Sequence, residues 1–116
     1  MTDEAEYLTY IAESIRLVDQ YITGQDGRPS EQAFLEDVRT QDAVIRRLET
    51  LADAASELSD ELKLRHPILP WRQINDFRNV LAHGYLDLQV SRIWRTIVVD
   101  LPALKAAVHD ELGDQT

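Results

Sequence analysis

Trp71-Arg72-Gln73-Ile74-Asn75-Asp76-Phe77-Arg78-Asn79-Val80-Leu81-Ala82-His83, with Pro70 before it and Gly84 after it, is the stretch that decides how this chain folds. At roughly 100° per residue, Trp71, Ile74, Phe77 and Leu81 fall on one helix face. Arg72, Asp76, Asn79 and His83 follow the spacing i, i+4, i+7, i+11 and form a polar stripe. Pro70 suits a first helical turn, and Gly84 suits the residue just past the last one. The segment therefore reads as an amphipathic helix that needs other helices to bury its apolar side.

The same period runs outward in both directions. Upstream, Thr40 to about Leu64 reads as the longest helix, with Val44, Ile45, Leu48, Leu51, Ala52, Ala55, Leu58 and Leu62 as a wide stripe. The alanines on it suit close helix packing. His66-Pro67-Ile68-Leu69-Pro70 ends it, because proline disfavours helix in the residue before it. Asp3 to about Thr23 reads as the first helix, capped by Thr2 or Asp3, with Leu8, Ile11, Ile15, Val18 and Ile22 inward. Two glycines and Pro29 break the chain after Thr23. Ser30 then opens a short helix to about Arg39, with Ala33, Phe34, Leu35 and Val38 on one side. Downstream, a helix from about Gln89 to Leu112 is kinked or divided by Pro102. Ile93, Trp94 and Ile97 join Val44, Leu48 and Leu51 in the core or an interface. Trp94 reads as packing and not as a cofactor stacker. The fold class is an all-α antiparallel bundle of four to five helices, a single domain over residues 1–116.

Composition agrees with this and excludes several functions. At 116 residues and 44% hydrophobic, the chain supports one core. It contains no cysteine, so disulfides and thiolate metal sites are ruled out. The acidic, amphipathic N-terminal stretch is unlike a signal peptide, and the apolar runs are too short for a membrane span. A cytoplasmic protein is expected. The net charge of −9 argues against general adhesion to nucleic acid. The charge is unevenly spread, however. From Lys63 to Arg95 there are six cations and two acids, net +4, whereas the rest of the chain carries net −13.

That basic segment surrounds Arg78, His83 and Tyr85. A fixed cation, a group titrating near neutrality and a phenol are suited to phosphodiester chemistry without a metal. Arg78 can grip phosphate with two hydrogen bonds. His83 lies in the last helical turn, where the dipole favours the imidazolium and Arg78 opposes it. It is thus suited to act as base or acid. Asn79 lies one turn from His83 and can hydrogen-bond its ring. Arg78 and His83 are five residues apart, about 140° round the helix. Either the arginine reaches across, or a second copy of the chain completes the site across a two-fold axis. Singly, each residue has an ordinary reading: Arg78 paired with an acid such as Asp53, His83 beside the last carbonyls, Tyr85 packed back on the helix. Together at this spacing they favour function. His66 and His109 read as non-ligands, and no metal set is expected.

The residues resemble the HEPN superfamily, in the Arg-x4-His-x-Tyr form of the HepT-like toxins. Pro67-Ile68-Leu69-Pro70-Trp71, Arg78-Asn79 and His83-Gly84-Tyr85 carry the resemblance. Gln41 to Glu49, Tyr7-Leu8 with Ile11, Ile93-Trp94 and Asp100-Leu101-Pro102 extend it over nearly the whole chain. One departure stands out. The family commonly has Gly-Glu-Ala where this chain has Ala52-Asp53-Ala54, a carboxylate one methylene shorter, so Asp53 is assigned only a supporting role.

The resemblance implies a HEPN-like bundle acting as a homodimer, with Arg78 and His83 of both protomers catalytic and Asn79 and Asp53 supporting. It implies a metal-independent ribonuclease, the toxin of a type VII toxin–antitoxin pair, with RNA as substrate. It implies a partner, a minimal nucleotidyltransferase antitoxin of the MntA kind, that transfers AMP to Tyr85. No cofactor belongs to this chain; ATP and magnesium belong to the partner's reaction. The alternative is a non-catalytic HEPN-like module that binds a nucleotide or a nucleotidyltransferase.

Overall fold

The structure is a computed structural model that describes residues 3–83 and 89–113, with side chains described except at 82 and 83. The helices are α1 (Glu4–Ile22), α2 (Glu31–Glu36), α3 (Val38–Ser56), α4 (Asp60–Arg65), α5 (Trp71–His83), α6 (Val90–Arg95) and α7 (Leu101–Glu111). A π turn, Thr96–Asp100, joins α6 to α7. Among the described residues the only extended pairing is an isolated bridge between Thr23 and Pro29. The all-α class stands. None of the described helices is long and apolar enough to cross a membrane.

α3 is the central helix, packing on α1 and on α5, while α7 lies against α1. The five inward positions of α1 and Val44, Leu48 and Leu51 of α3 are all buried, as their period requires. Each such aliphatic side chain contributes ~1.5–3 kcal/mol when fully buried. Asp3 caps α1 by accepting from the Ala5 N–H. Trp94 is packing: its ring lies 5.5 Å from that of Phe34.

Two expectations are corrected and a third is narrowed. The helix expected from Thr40 to Leu64 is two helices. Ser59 Oγ accepts from the Leu62 N–H and starts α4, and the Glu4 carboxylate accepts from the Ser59 N–H at 2.6 Å. The break is hidden in the sequence because Leu58 and Leu62 stay buried on either side of it. The short helix ends at Glu36 and not near Arg39, because the Asp37 carboxylate accepts from the Arg39 and Thr40 N–H groups and opens α3. Of its four apolar residues only Phe34 is buried; a helix of six residues has one inward position here. Of the two readings of the last helix, kinked or divided, the divided one holds: a π turn separates α6 from α7, and Pro102 lies in the first turn of α7. Proline clashes with the carbonyl four residues back in an α-helix. The wider turn, closed by the Leu101 N–H on the Thr96 carbonyl, accommodates it.

Candidate active site

The elements that aim α5 are local and strong. The Trp71 indole N–H lies 3.0 Å from the His66 carbonyl and 3.2 Å from that of Lys63, so it closes the end of α4 and fixes the start of α5. Leu69 and Leu81 are buried at the two ends of the segment, and Ile74 and Phe77 pack partly against the core. With that face turned inward, Arg78 projects along α3.

There it meets Asp53. The Arg78 Nε donates to Asp53 Oδ1 in a short contact. The side chains are 38% and 53% exposed, so the pair contributes at most about 1 kcal/mol to stability. Its larger consequence is orientation. The bond uses the inner edge of the guanidinium, and the two Nη groups have no hydrogen-bond partner among the described residues. They present the planar fork that matches two phosphate oxygens. Asp53, despite its shorter side chain, reaches the motif arginine.

Asn79 is exposed on α5. His83 is the last residue of α5, which places its backbone where the helix dipole favours a cation. Its side chain lies outside the described residues, as do Gly84 and Tyr85. The structure thus joins Arg78 to Asp53 and puts Asn79 and His83 on the same helix.

Two features were not anticipated from sequence. The first is an open groove of about 630 Å³ beside Arg78, walled by Tyr7 and Tyr10 of α1 and by Thr50, Asp53 and Glu57. The packing of α1 and α5 on α3 creates it, and no local motif signals that. The second is a clasp between chain segments 45 residues apart. Glu111 Oε2 lies 2.7 Å from His66 Nε2, and Arg65 holds both Glu111 oxygens at 2.7 and 3.0 Å. Arg65, then His66, lowers the Glu111 carboxyl to about 2. His66, read as an isolated histidine, therefore has Glu111 and Asp110 as neighbours; potential ligand atoms of the three lie within 4.8 Å of one another. Glu111 is already committed to Arg65, so the group reads as a structural tie.

Comparison with known proteins converges on one family. The family model described as "Ribonuclease HepT-like" matches residues 11–110. A Thermococcus cleftensis protein named "Probable ribonuclease HepT" is 37% identical over 103 residues, 86% of this chain and 87% of that one. A Caldanaerobacter subterraneus protein named "Putative RNase TTE0752" is 28% identical over 106 residues, 91% of each chain. A Methanocaldococcus jannaschii protein whose name joins a gamma-glutamylcyclotransferase to a "putative RNase" is 30% identical over 102 residues. That match spans 88% of this chain and 44% of the relative. No solved structure gives a significant match. On the family model and the Thermococcus relative, this chain belongs to the ribonuclease HepT-like family of the HEPN superfamily.

Proposed function

We propose that this chain is a metal-independent endoribonuclease and the toxin of a toxin–antitoxin pair, cutting RNA with Arg78 and His83. The observation that carries this reading is the Arg78–Asp53 contact. It holds the inner edge of the guanidinium and leaves both Nη groups for a phosphate, on the helix that ends in His83. In the reaction, the imidazole takes the proton of a 2′-hydroxyl and the 2′-oxygen attacks phosphorus. The bond from phosphorus to the 5′-oxygen breaks, and that oxygen receives a proton from a second imidazole. The His83 of a second copy, facing the first across a two-fold axis, supplies it. Arg78 stabilises the charge that develops on the phosphoryl oxygens. The products are a 2′,3′-cyclic phosphate and a 5′-hydroxyl.

Tyr85 is the regulatory handle in this reading. A minimal nucleotidyltransferase antitoxin, using ATP and magnesium, directs the phenol oxygen at the α-phosphorus of ATP, and pyrophosphate leaves. The AMP then places an anion where RNA must bind. The experiment that tests the function is incubation of the purified chain with RNA in EDTA, followed by analysis of the new ends. Cyclic phosphate at the 3′ side is expected. Cleavage that needs an added divalent ion, or ends that carry a 5′-phosphate, would overturn the mechanism.

A further inference from the structure

The groove beside Arg78 carries chemistry that phosphate binding does not use. Its charged residues are Arg78 and three acids, Glu6, Asp53 and Glu57. Asp53 is already paired with Arg78, whereas the carboxylates of Glu6 and Glu57 have no ion-pair or hydrogen-bond partner among the described residues; the backbone N–H of each is bonded, to Asp3 and Ala54. A phosphodiester backbone laid along this groove would meet a net negative wall. A neutral group rich in N–H donors would not. The groove also has aromatic surface: Tyr7 is half-buried and Tyr10 is 40% exposed, three residues apart on the same side of α1. Its volume, about 630 Å³, falls in the ~300–1,000 Å³ range of small-molecule sites.

We infer that this groove is a base-binding subsite beside the scissile phosphate, and that it selects guanine. The inference rests on the ribonuclease reading proposed above. The phosphate sits on the free edge of Arg78, and the adjoining base turns into the groove and stacks on Tyr10. Stacking on tyrosine is open to every base. The unpaired carboxylates make the selection. Guanine presents N1–H and N2–H side by side, matching the two oxygens of one carboxylate. Adenine and cytosine offer an amino group next to an acceptor nitrogen. Uracil offers one N–H flanked by two carbonyls, which a carboxylate repels. Glu57 and Glu6, both in the lining of the groove, are the specificity-determining residues.

The test has two arms. In the first, a random RNA pool is cut by the native chain and the cyclic-phosphate ends are sequenced. Guanine is expected at one fixed position beside the cut. The double variant Glu6→Gln/Glu57→Gln should weaken that preference by about tenfold, and Tyr10→Ala should raise KM by about tenfold with a smaller effect on kcat. Cutting without base preference, or a preference that survives the double variant, overturns the subsite while leaving the ribonuclease reading standing. The second arm needs no cleavage: 3′-GMP and 3′-UMP are titrated into the native chain and followed by NMR. GMP should bind about tenfold more tightly, with shifts at Tyr7 and Tyr10, and the double variant should lose the difference. Equal affinity, or displacement of GMP by a lysine-rich peptide, overturns the proposal. If the native chain cuts no RNA yet selects GMP, the ribonuclease reading fails and the base site survives.

Discussion

Arg78 is held by one edge and offered by the other, and Asp53 is the residue that arranges this. A positioning role makes a specific forecast. Asp53→Ala should leave helicity unchanged and lower kcat/KM for RNA by about tenfold, since a freed guanidinium retains its charge but loses its aim. Asp53→Glu should keep most of the activity. Circular dichroism and cleavage of a fluorescent RNA check both, and full activity in Asp53→Ala would remove the positioning role. The pairing itself was legible in the sequence. An arginine on a helix needs a partner or water, and the family resemblance marked the carboxylate. The groove was not legible, because Tyr7 and Tyr10 meet Arg78 only through the packing of α1 and α5 on α3.

At the scale of the elements, apolar periodicity located the inward faces of α1, α3 and α5 and missed the places where short polar side chains interrupt them. Ser59 and Asp37 are both N-caps whose neighbours continue the apolar pattern, so the stripe runs on through each break. The clasp between α4 and α7 was equally hidden, since it joins residues remote in sequence. It sets a pH dependence. Glu111 stays ionised in the folded chain down to about 2, against 4.5 for a free side chain. Its contribution to stability is therefore complete above about pH 4.5 and is lost as the pH falls toward 2. Glu111→Gln should lower Tm at pH 7 by about 4–8 °C, corresponding to ~1 kcal/mol. The gap between variant and parent should narrow below about pH 4.5 and close as the pH approaches 2. Thermal melts across that range are the check, and a constant gap would mean that Glu111 stabilises the fold by some other contact.

For the whole molecule, the opposed charges of its parts limit what it binds. A chain of net −9 with one basic segment is poorly built to coat RNA and better built to admit it at one place. Five residues of ideal helix separate positions 78 and 83 by about 140° round the axis, and the function proposed above therefore uses a cleft between two copies to bring acid, base and cation together. Sedimentation should show a dimer, and mixed dimers of the parent with excess His83→Ala chain should lose most of their activity, because each shared cleft then lacks one imidazole. A fully active monomer would contradict the composite site.

The central claim is that Arg78 and His83 perform the chemistry. Its most direct test is the single-turnover rate of cleavage of one RNA in EDTA by the parent chain, Arg78→Ala and His83→Ala, each shown to be folded and dimeric. The account predicts that each variant loses about a thousandfold or more. A rate within a few-fold of the parent in either folded variant would contradict it.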